Sequence, residues 1–244
     1  MTHLKTRFIE DGFVIIEDVF TPEEINQISA CFDRLQKTAL QLDQTCEHQG
    51  SQFVVENQRI QRIVWACGAE PVLKTLGEHK DILGPVSTFL SSESMDHLIC
   101  QGHFKLPGDQ VDFQWHQDAE HRRYGTHEWN DVNGTGSYVQ TITAIDPMRS
   151  DNGPVMVLPG SHKDGFLNLP EGDNRIKYVK EKDLVPVELA PGSVMFFGPY
   201  LIHGSLPNRS ESPRRIFING FSYPGANSRV YPGKGSGCRV ICSS

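Results

Sequence analysis

The sequence lacks any run of the ~20 apolar residues that a helix needs to cross a bilayer. Its first seven residues, Met-Thr-His-Leu-Lys-Thr-Arg, lead into mixed sequence and not into the apolar segment of a signal peptide. Basic residues are also in the minority, with 23 lysines and arginines against 30 aspartates and glutamates, a net charge of −7. This balance argues against a general binder of nucleic-acid backbones. We therefore expect a cytoplasmic protein whose partner is neither a membrane nor a nucleic acid.

A Cys-x-x-Cys pair is also missing. The six cysteines are scattered along the chain: Cys31, Cys46, Cys67, Cys100, Cys238 and Cys242. A zinc ribbon needs closely spaced thiols, and a disulfide framework is typical of short secreted chains. The six cysteines are therefore predicted to be reduced thiols, and the close pair Cys238 and Cys242 is predicted to be structural.

Turn-forming residues are plentiful, with 22 glycines and 15 prolines. Frequent turns favour a strand-rich fold over a helical bundle. All-β barrels of about this length commonly form one domain. A single domain over residues 1–244 is expected, with a mainly helical part at 1–94 and a β core at 95–244.

The segment Thr21-Pro22-Glu23-Glu24 predicts a helix start, since it combines an N-cap threonine, a proline at the first helical position and a glutamate at the third. Apolar residues then follow at helical spacing: Ile25, Ile28, Phe32, Leu35, Ala39 and Leu42. Further helical regions are predicted at 60–65 and from 71 to 81, with a loop at 43–57.

Short apolar runs between glycine, proline, aspartate and asparagine begin near residue 95. The candidate strands are 96–105, 111–116, 137–145, 154–158, 185–189, 193–197, 200–203 and 214–222. That number of strands is typical of a double-sheet jelly roll. The long connections 119–136 and 159–184 have the length of functional loops or lids.

A histidine and an aspartate stand two residues apart in the aromatic run that ends at His116 and Asp118. If this run is the end of a strand, both side chains point to one face. An imidazole and a carboxylate are two-thirds of the 2-His-1-carboxylate site that suits non-haem Fe(II). The motif alone is weak, so its meaning depends on a second histidine.

His203 is the favoured second histidine because it ends an apolar run whose Gly-Pro pair bends the chain. His121 and His127 lie in the polar loop after Asp118 with no strand to fix them, and His162 closes a turn, where it is predicted to stabilise the loop by hydrogen bonds. Arg214 begins the strand that follows His203. A half-buried arginine needs an anion, which is either a nearby surface glutamate such as Glu211 or the distal carboxylate of a dicarboxylic co-substrate.

These residues together resemble the phytanoyl-CoA dioxygenase family of Fe(II)- and 2-oxoglutarate-dependent oxygenases. The resemblance covers nearly the whole chain and rests on the joint spacing of Asp11-Gly12-Phe13-Val14, Phe104-Lys105-x-Pro107-Gly108, His116-x-Asp118, Asn152-Gly153-Pro154-x-x-x-Leu158-Pro159-Gly160-Ser161-His162, and His203-Gly204-Ser205 with Arg214 eleven residues after His203. It implies a mainly β fold with flanking helices around a double-stranded β-helix core of the jelly-roll, cupin-like type.

The resemblance also implies the chemistry. His116, Asp118 and His203 would bind Fe(II), and 2-oxoglutarate and O2 would be consumed in a hydroxylation that releases succinate and CO2. Arg214 would pair with the C5 carboxylate of 2-oxoglutarate, and Ser205 would add a hydrogen bond. His103 is either a further co-substrate residue or a hydrogen-bonded core histidine. Arg215 would face the opposite way and is not expected to be the anchor.

The segment 119–136 departs from the commonest family pattern and is interpreted as a substrate lid. Arg122 is predicted to meet an anionic or zwitterionic substrate, together with Arg123, although a solvated charged loop remains an equal alternative. Gln140 is predicted to face the pocket. No segment resembles a site for the adenosine phosphate of CoA, so the substrate is expected to be a small free metabolite. Monomer and homodimer remain open.

Two other functions compete with this interpretation. A cupin-like metalloenzyme would use the metal without 2-oxoglutarate, which the combination of Arg214 and Ser205 argues against. A jelly-roll metal-binding or sensor protein would keep the fold without turnover, which the complete triad makes less favoured. Oxygen-dependent formation of succinate separates these functions.

Overall fold

Two antiparallel sheets build the β part of the protein. The computed structural model describes residues 2–56, 59–109, 112–170, 179 and 183–242. The strands in these residues are β1 (Phe13–Ile16), β2 (Cys46–His48), β3 (Ser51–Glu56), β4 (Arg59–Val64), β5 (Ser94–Lys105), β6 (Phe113–His116), β7 (Tyr138–Ala144), β8 (Val155–Val157), β9 (Val185–Val187), β10 (Val194–Phe197), β11 (His203–Ser205), β12 (Arg214–Ser222) and β13 (Cys238–Ile241). The helices are α1 (Thr2–Asp11), α2 (Pro22–Ala39), α3 (Val72–Gly77), α4 (Lys80–Leu90) and α5 (Asp118–His121).

The larger sheet has the strand order β1-β10-β7-β12-β5-β4-β3-β2, and β13 also pairs with β5. The smaller sheet has the order β6-β11-β8-β9. Several neighbours in the sheets are far apart in sequence, as β12 and β5 are, which is the non-local pairing of a jelly roll, whereas β2 to β5 pair in chain order. The prediction of a mainly β fold with flanking helices is confirmed.

Helix α2 begins as the sequence predicts. The Thr21 hydroxyl accepts a hydrogen bond from the Glu24 amide at 3.3 Å, and the Glu24 carboxylate accepts one from the Thr21 amide at 2.9 Å. The apolar stripe of this helix packs on the larger sheet, where the Phe32 ring lies 5.2 Å from that of Phe104. The buried residues of the stripe are Ile25, Ile28, Cys31, Phe32, Leu35 and Ala39.

The predictions of a loop at 43–57 and a helix at 60–65 are wrong, since β2, β3 and β4 occupy this region. Val54 pairs with Arg62 and Val55 with Ile60, so β4 carries one extra residue between these pairs. Such a bulge disturbs the alternation of faces. As a result Ile60 and Ile63, three residues apart, are both buried and imitate the spacing of a helix.

Most of the other candidate strands are confirmed within a few residues. The candidate at 200–203 is wrong, because β11 begins only at His203, and β13 has no counterpart in the sequence-based set. Parts of two predicted segments lie outside the described residues. They are residue 111 of the candidate strand 111–116, and residues 171–178 and 180–182 of the predicted connection 159–184.

Both parts of the chain contribute to the larger sheet. Strand β1 pairs with β10, and β4 pairs with β5. Residues 1–94 therefore supply α1 to α4 and also four strands of the sheet that carries the core.

Cys67 and Cys100 form a disulfide, with their Cα atoms 6.3 Å apart. The prediction of reduced thiols is wrong for these two and holds for Cys31, Cys46, Cys238 and Cys242. The partners are 33 residues apart, so no local motif marks them. Among the described helices, none combines the length and apolar character needed to traverse a bilayer.

Candidate active site

A cavity of about 450 Å³ opens between the two sheets. This volume is typical of a small-molecule site. All of the side chains that the sequence predicts for iron, co-substrate and substrate line it: His103, His116, Asp118, Arg122, Gln140, His203, Ser205 and Arg214. Residues from widely separated parts of the chain therefore come together at one place.

His116 and His203 are directly opposite partners on β6 and β11. Their ring centroids are 4.2 Å apart. The Nδ1 of His116 lies 2.7 Å from the Gln114 carbonyl oxygen, and the Nδ1 of His203 lies 3.0 Å from that of Leu201. Because a carbonyl only accepts, each Nδ1 carries the proton and each Nε2 has a lone pair for a metal.

Asp118 reaches the histidines in a way that strand alternation does not predict. Strand β6 ends at His116, and Asp118 is the first residue of α5, so the expectation that both lie on one strand is wrong. The Asp118 Oδ1 nevertheless lies 3.9 Å from the Nε2 of His116. One possible ligand atom from each of His116, Asp118 and His203 lies within 4.8 Å of the others.

The three side chains fit a divalent metal ion. The Oδ2 of Asp118 is buried and has no hydrogen-bond partner among the described residues, which is costly for a carboxylate unless a cation binds it. Burial opposes its charge, but Arg122 and then His203 and His116 lower the pKa of Asp118 below its usual value. Burial, with His116, lowers the pKa of His203 to about 4. A charged carboxylate and neutral imidazoles are the ligand forms of a 2-His-1-carboxylate site.

Gln117, between two of these residues, is a fully buried polar side chain that the sequence analysis missed. Its Nε2 donates to the carbonyl oxygens of Gly165 at 2.9 Å and Tyr200 at 2.7 Å. Its Oε1 accepts from the Leu167 amide at 2.8 Å. These bonds tie the turn that carries Asp118 to two distant loops.

Arg214, at the start of β12, is 1% exposed. Its Nη2 donates to the Gly153 carbonyl at 3.0 Å, while its Nε has no partner among the described residues. Burial lowers the pKa of Arg214 to about 10. No ion pair with Glu211 is present in the described part of the chain, whereas the neighbouring Arg215 pairs with Asp146 at 2.8 Å on the other side of the strand.

Lys105, at the end of β5, is a second buried cation and was not assigned a role from the sequence. Its Nζ donates to the Ser205 hydroxyl at 2.8 Å and to the carbonyl of Leu206. Burial and then Arg214 lower the pKa of Lys105 to about 7. Within the described residues, neither Lys105 nor Arg214 has a carboxylate within ion-pair distance. The two cations and the Ser205 hydroxyl thus form a place for an anion.

His103 stacks on Phe113 with ring centroids 5.3 Å apart, and its Nε2 donates to the Gln101 Oε1 at 3.1 Å. Burial, and then Arg62 and Arg214, lower the pKa of His103 to about 3, so the ring is neutral. His103 therefore lines the cavity and is also a hydrogen-bonded histidine, so the two predicted alternatives are compatible.

Arg122 and Gln140 bind each other. The Nη2 of Arg122 donates to the Gln140 Oε1 at 2.9 Å and to the Tyr138 hydroxyl at 3.0 Å. Arg122 is 7% exposed, so it is not part of a solvated loop, whereas Arg123 is exposed and lies 3.9 Å from Glu128.

The remaining candidate histidines have different surroundings. His162 lies 2.9 Å from the Ile9 carbonyl, which agrees with the predicted role in stabilising a loop. The His121 ring centroid is 5.1 Å from that of His116, and His121 also lines the cavity.

A model of the phytanoyl-CoA dioxygenase family matches residues 8–216 of the chain. The chain belongs to the phytanoyl-CoA dioxygenase family. The sequence-based predictions of this family and of a non-haem iron dioxygenase with iron and 2-oxoglutarate as its cofactors are confirmed at the level of the family.

Relatives and solved structures agree with this membership. The chain is 24% identical over 230 residues to the ectoine dioxygenase of Sphingopyxis alaskensis, which covers 85% of this chain and 71% of the relative. It is 32% identical over 80 residues to the methylphosphonate hydroxylase of Gimesia maris, which covers 32% of this chain and 31% of that protein.

Two crystal structures share the fold. The structure of EctD from S. alaskensis with 2-oxoglutarate and 5-hydroxyectoine has a TM-score of 0.73 and 20% identity, and the match covers 93% of this chain and 77% of EctD. The epimerase SnoN in complex with Fe3+, alpha ketoglutarate and nogalamycin RO has a TM-score of 0.70 and 16% identity, and the match covers 98% and 95% of the two chains. These likenesses confirm the double-stranded β-helix core.

Proposed function

We propose that this protein hydroxylates a small-molecule metabolite, with Fe(II) bound by His116, Asp118 and His203 and with 2-oxoglutarate anchored by Arg214. One observation carries the proposal: a single cavity is lined both by a triad that needs a cation and by Arg214 and the Ser205 hydroxyl, which with the Lys105 that donates to Ser205 need an anion. The Asp118 Oδ2 has no partner among the described residues, and Arg214 has no carboxylate partner among them. Iron and a dicarboxylate would satisfy both requirements.

Arg214, Lys105 and Ser205 would bind the C5 carboxylate of 2-oxoglutarate. Arginine presents its N–H groups in a fixed fork that matches a carboxylate, and lysine adds a point charge. The hydroxyl of Ser205 already accepts from Lys105, which leaves its own proton for the carboxylate. His103 would contact the co-substrate from the neighbouring strand.

Iron and 2-oxoglutarate, when bound, supply the oxidising power for hydroxylation by O2, with release of succinate and CO2. The chain's own contribution is to hold the substrate and keep bulk water away. Arg122 and Gln140 line the same cavity and would orient the substrate, and the segment 119–136 would cover it.

The names of the relatives support a small-molecule substrate, since ectoine dioxygenase and methylphosphonate hydroxylase are both named for small molecules. The excess of acidic residues supports a partner other than nucleic acid. The cytoplasmic location remains part of the proposal.

Oxygen-dependent formation of succinate from 2-oxoglutarate and Fe(II) tests the function. We expect slow succinate formation without substrate, stimulation by the substrate, and loss in a His203→Ala variant that keeps its thermal stability. A cupin-like enzyme that does not use 2-oxoglutarate, or a sensor, would bind iron and form no succinate, and that result would contradict the proposal.

The role of Arg214 has a test of its own. Arg214→Met is expected to raise the Kd for 2-oxoglutarate on the order of 100-fold, because two charge-assisted hydrogen bonds are lost. The affinity for iron should change little. Arg215→Met is the matched control, since Arg215 adjoins Arg214 but pairs with Asp146 outside the cavity. Equal loss of iron and 2-oxoglutarate binding in Arg214→Met would refute the role.

A further inference from the structure

The lining of the cavity has the opposite charge sign to the chain as a whole. The chain carries a net charge of −7. Among the described residues, however, the cavity wall contains five arginines and only two carboxylates, those of Asp118 and Glu120. Arg214 is assigned to the co-substrate and Asp118 to the metal. The excess positive charge therefore lies in the part of the cavity that is left for the substrate.

Three of these arginines have no carboxylate within ion-pair distance among the described residues: Arg62, Arg122 and Arg229. Arg123 is excluded because it pairs with Glu128. Arg122 is 7% exposed, and its Nε is buried with no hydrogen-bond partner in the described part of the chain. Its other bonds go to neutral oxygens, those of Tyr138 and Gln140. The Asp118 carboxylate is close enough to stabilise the charge of Arg122, but Asp118 is assigned to the metal, so the three guanidinium groups together still lack an anion.

All three arginines line the cavity that also holds the metal triad and His121. The His121 ring lies 5.1 Å from that of His116. Arg229 donates from Nη1 to the carbonyl of His121, and Arg122 follows His121 in the chain. Arg62, on β4, is the cross-strand partner of His103 on β5 and lines the same cavity.

Tyr231 joins two of the guanidinium groups. The guanidinium carbon of Arg229 lies 4.9 Å from the centroid of the Tyr231 ring, and that of Arg122 lies 5.8 Å from it. Stacking on one ring orients both groups and limits the entropy that they lose on binding an anion. Tyr231 also lines the cavity and is 7% exposed.

The segment that carries Arg229 and Tyr231 is fixed to the lid segment 119–136. The Asn130 amide donates to the Ala226 carbonyl at 2.7 Å, and the Ser228 amide donates to the Glu128 carbonyl at 2.9 Å. Both Arg229 and Tyr231 lie beyond residue 216, where the match to the family ends.

We propose that Arg62, Arg122 and Arg229 form a binding site for the acid group of the substrate, which is a small organic anion, a carboxylate or a phosphonate. This inference rests on the proposed function, since it assigns the substrate class of the same cavity. The arginines would hold the acid group on the side of the cavity near His121. The carbon to be hydroxylated would then lie between the acid group and the metal triad.

Equilibrium binding tests the inference without turnover. The protein is loaded with 2-oxoglutarate and with Zn(II) in place of Fe(II). Small carboxylic and alkylphosphonic acids are titrated, each beside its neutral amide or dimethyl ester, and a thermal shift gives the Kd. We expect the best-bound acid to bind at least about tenfold more tightly than its neutral partner, which is the contribution of a charge-assisted hydrogen bond. Whether the best-bound acid is a carboxylic or an alkylphosphonic acid shows which acid group the site prefers.

Variants assign the effect to the arginines. Arg62→Gln and Arg229→Gln should each raise the Kd of the best-bound acid about 10- to 100-fold, and Arg229→Lys should recover part of the loss. Arg149→Gln, an exposed arginine beside Asp151, should leave this Kd unchanged.

Two results would overturn the inference: equal binding of every acid and its neutral partner, or a Kd that neither glutamine variant changes. The formation of succinate without substrate is measured separately on the Fe(II) protein. If succinate forms but acids are not preferred, the substrate class is wrong and the proposed function stands. If no succinate forms under any condition, the proposed function fails, whatever the binding result.

Discussion

Lys105 and Arg214 bring two positive charges into the interior at neighbouring positions. Both side chains are 1% exposed, and burial together with the charge of Arg214 lowers the pKa of Lys105. Burial of such a pair is unfavourable unless an anion or hydrogen bonds compensate it. The Ser205 hydroxyl and the carbonyls of Leu206 and Gly153 compensate part of it. The part of this unfavourable free energy that stays uncompensated is relieved when a dianionic co-substrate binds, and it therefore adds to the affinity.

The lowered pKa of Lys105 predicts how the affinity for 2-oxoglutarate depends on pH. In the free protein the pKa of Lys105 is about 7. A bound carboxylate raises it again, so binding above pH 7 requires uptake of a proton. The Kd should therefore rise with pH above 7, approaching tenfold per pH unit, and should show no contribution from Lys105 below its pKa. Calorimetric titration of the Zn(II) protein at several pH values measures this slope.

Lys105→Met provides the comparison for this slope. The variant should bind 2-oxoglutarate more weakly at pH 6.5 and should lose most of the pH dependence above 7. If the slope persists in the variant, a group other than Lys105 causes the pH dependence of the Kd. Proton uptake, read from the buffer dependence of the binding enthalpy, should disappear in the same variant.

Lys105 also shows why the sequence predicts some site residues and not others. His116, Asp118 and His203 are of residue types that bind metals, and their order matches a known family pattern. Lys105 stands in the family-like motif Phe104-Lys105-x-Pro107-Gly108, but nothing in the sequence marks it as a binding residue, since its partner Ser205 is 100 residues away. Its significance depends on burial, which only the assembled sheets create.

At the level of single elements, the turn that begins at Gln117 determines where Asp118 lies. Gln117→Leu would leave the Gly165 and Tyr200 carbonyls and the Leu167 amide without their partner. We expect a loss of about 2–4 kcal/mol in the free energy of unfolding. The Kd for Fe(II) should rise about tenfold, since 1.4 kcal/mol of lost positioning corresponds to that factor. Urea unfolding and metal titration measure the two effects.

Gln114→Leu is the matched control, because Gln114 is exposed on β6 and lies three residues before Gln117. It should change the free energy of unfolding by no more than about 0.5 kcal/mol. If Gln117→Leu loses stability but binds Fe(II) as the wild type does, Gln117 is structural and does not position Asp118.

The elements differ in how far the sequence predicts them. Helix α2 is set by contacts within itself, from the Thr21 and Glu24 cap to the apolar stripe, so its pattern is readable along the chain. Strand β4 is set by its pairing with β3, where an extra residue places Ile60 and Ile63 on one side. The sequence shows only the resulting spacing, which is that of a helix. Local determinants are predictable and non-local pairing is not.

At the scale of the molecule, the helical N-terminal part and the β core are joined by backbone hydrogen bonds. Strand β1 pairs with β10 on one side of the larger sheet, and β4 pairs with β5 further along it. The side chains of α2 cover the face of the same sheet, through contacts such as that of Phe32 with Phe217. We therefore propose that residues 1–244 form one folding unit, as expected from the sequence.

Three tryptophans report separately on the two parts. Trp65 lies in the N-terminal part, and Trp115 and Trp129 lie in the core part. A Trp65→Phe variant reports on the core, and a Trp115→Phe/Trp129→Phe variant reports on Trp65 in the N-terminal part, whose indole also donates to the Lys234 carbonyl of the core at 2.8 Å. One folding unit requires that the fluorescence midpoint of each variant coincides with its own midpoint by far-ultraviolet circular dichroism. If the N-terminal reporter melts before the circular dichroism of the same variant, the β1–β10 and β4–β5 pairings do not couple the two parts and the chain holds two units.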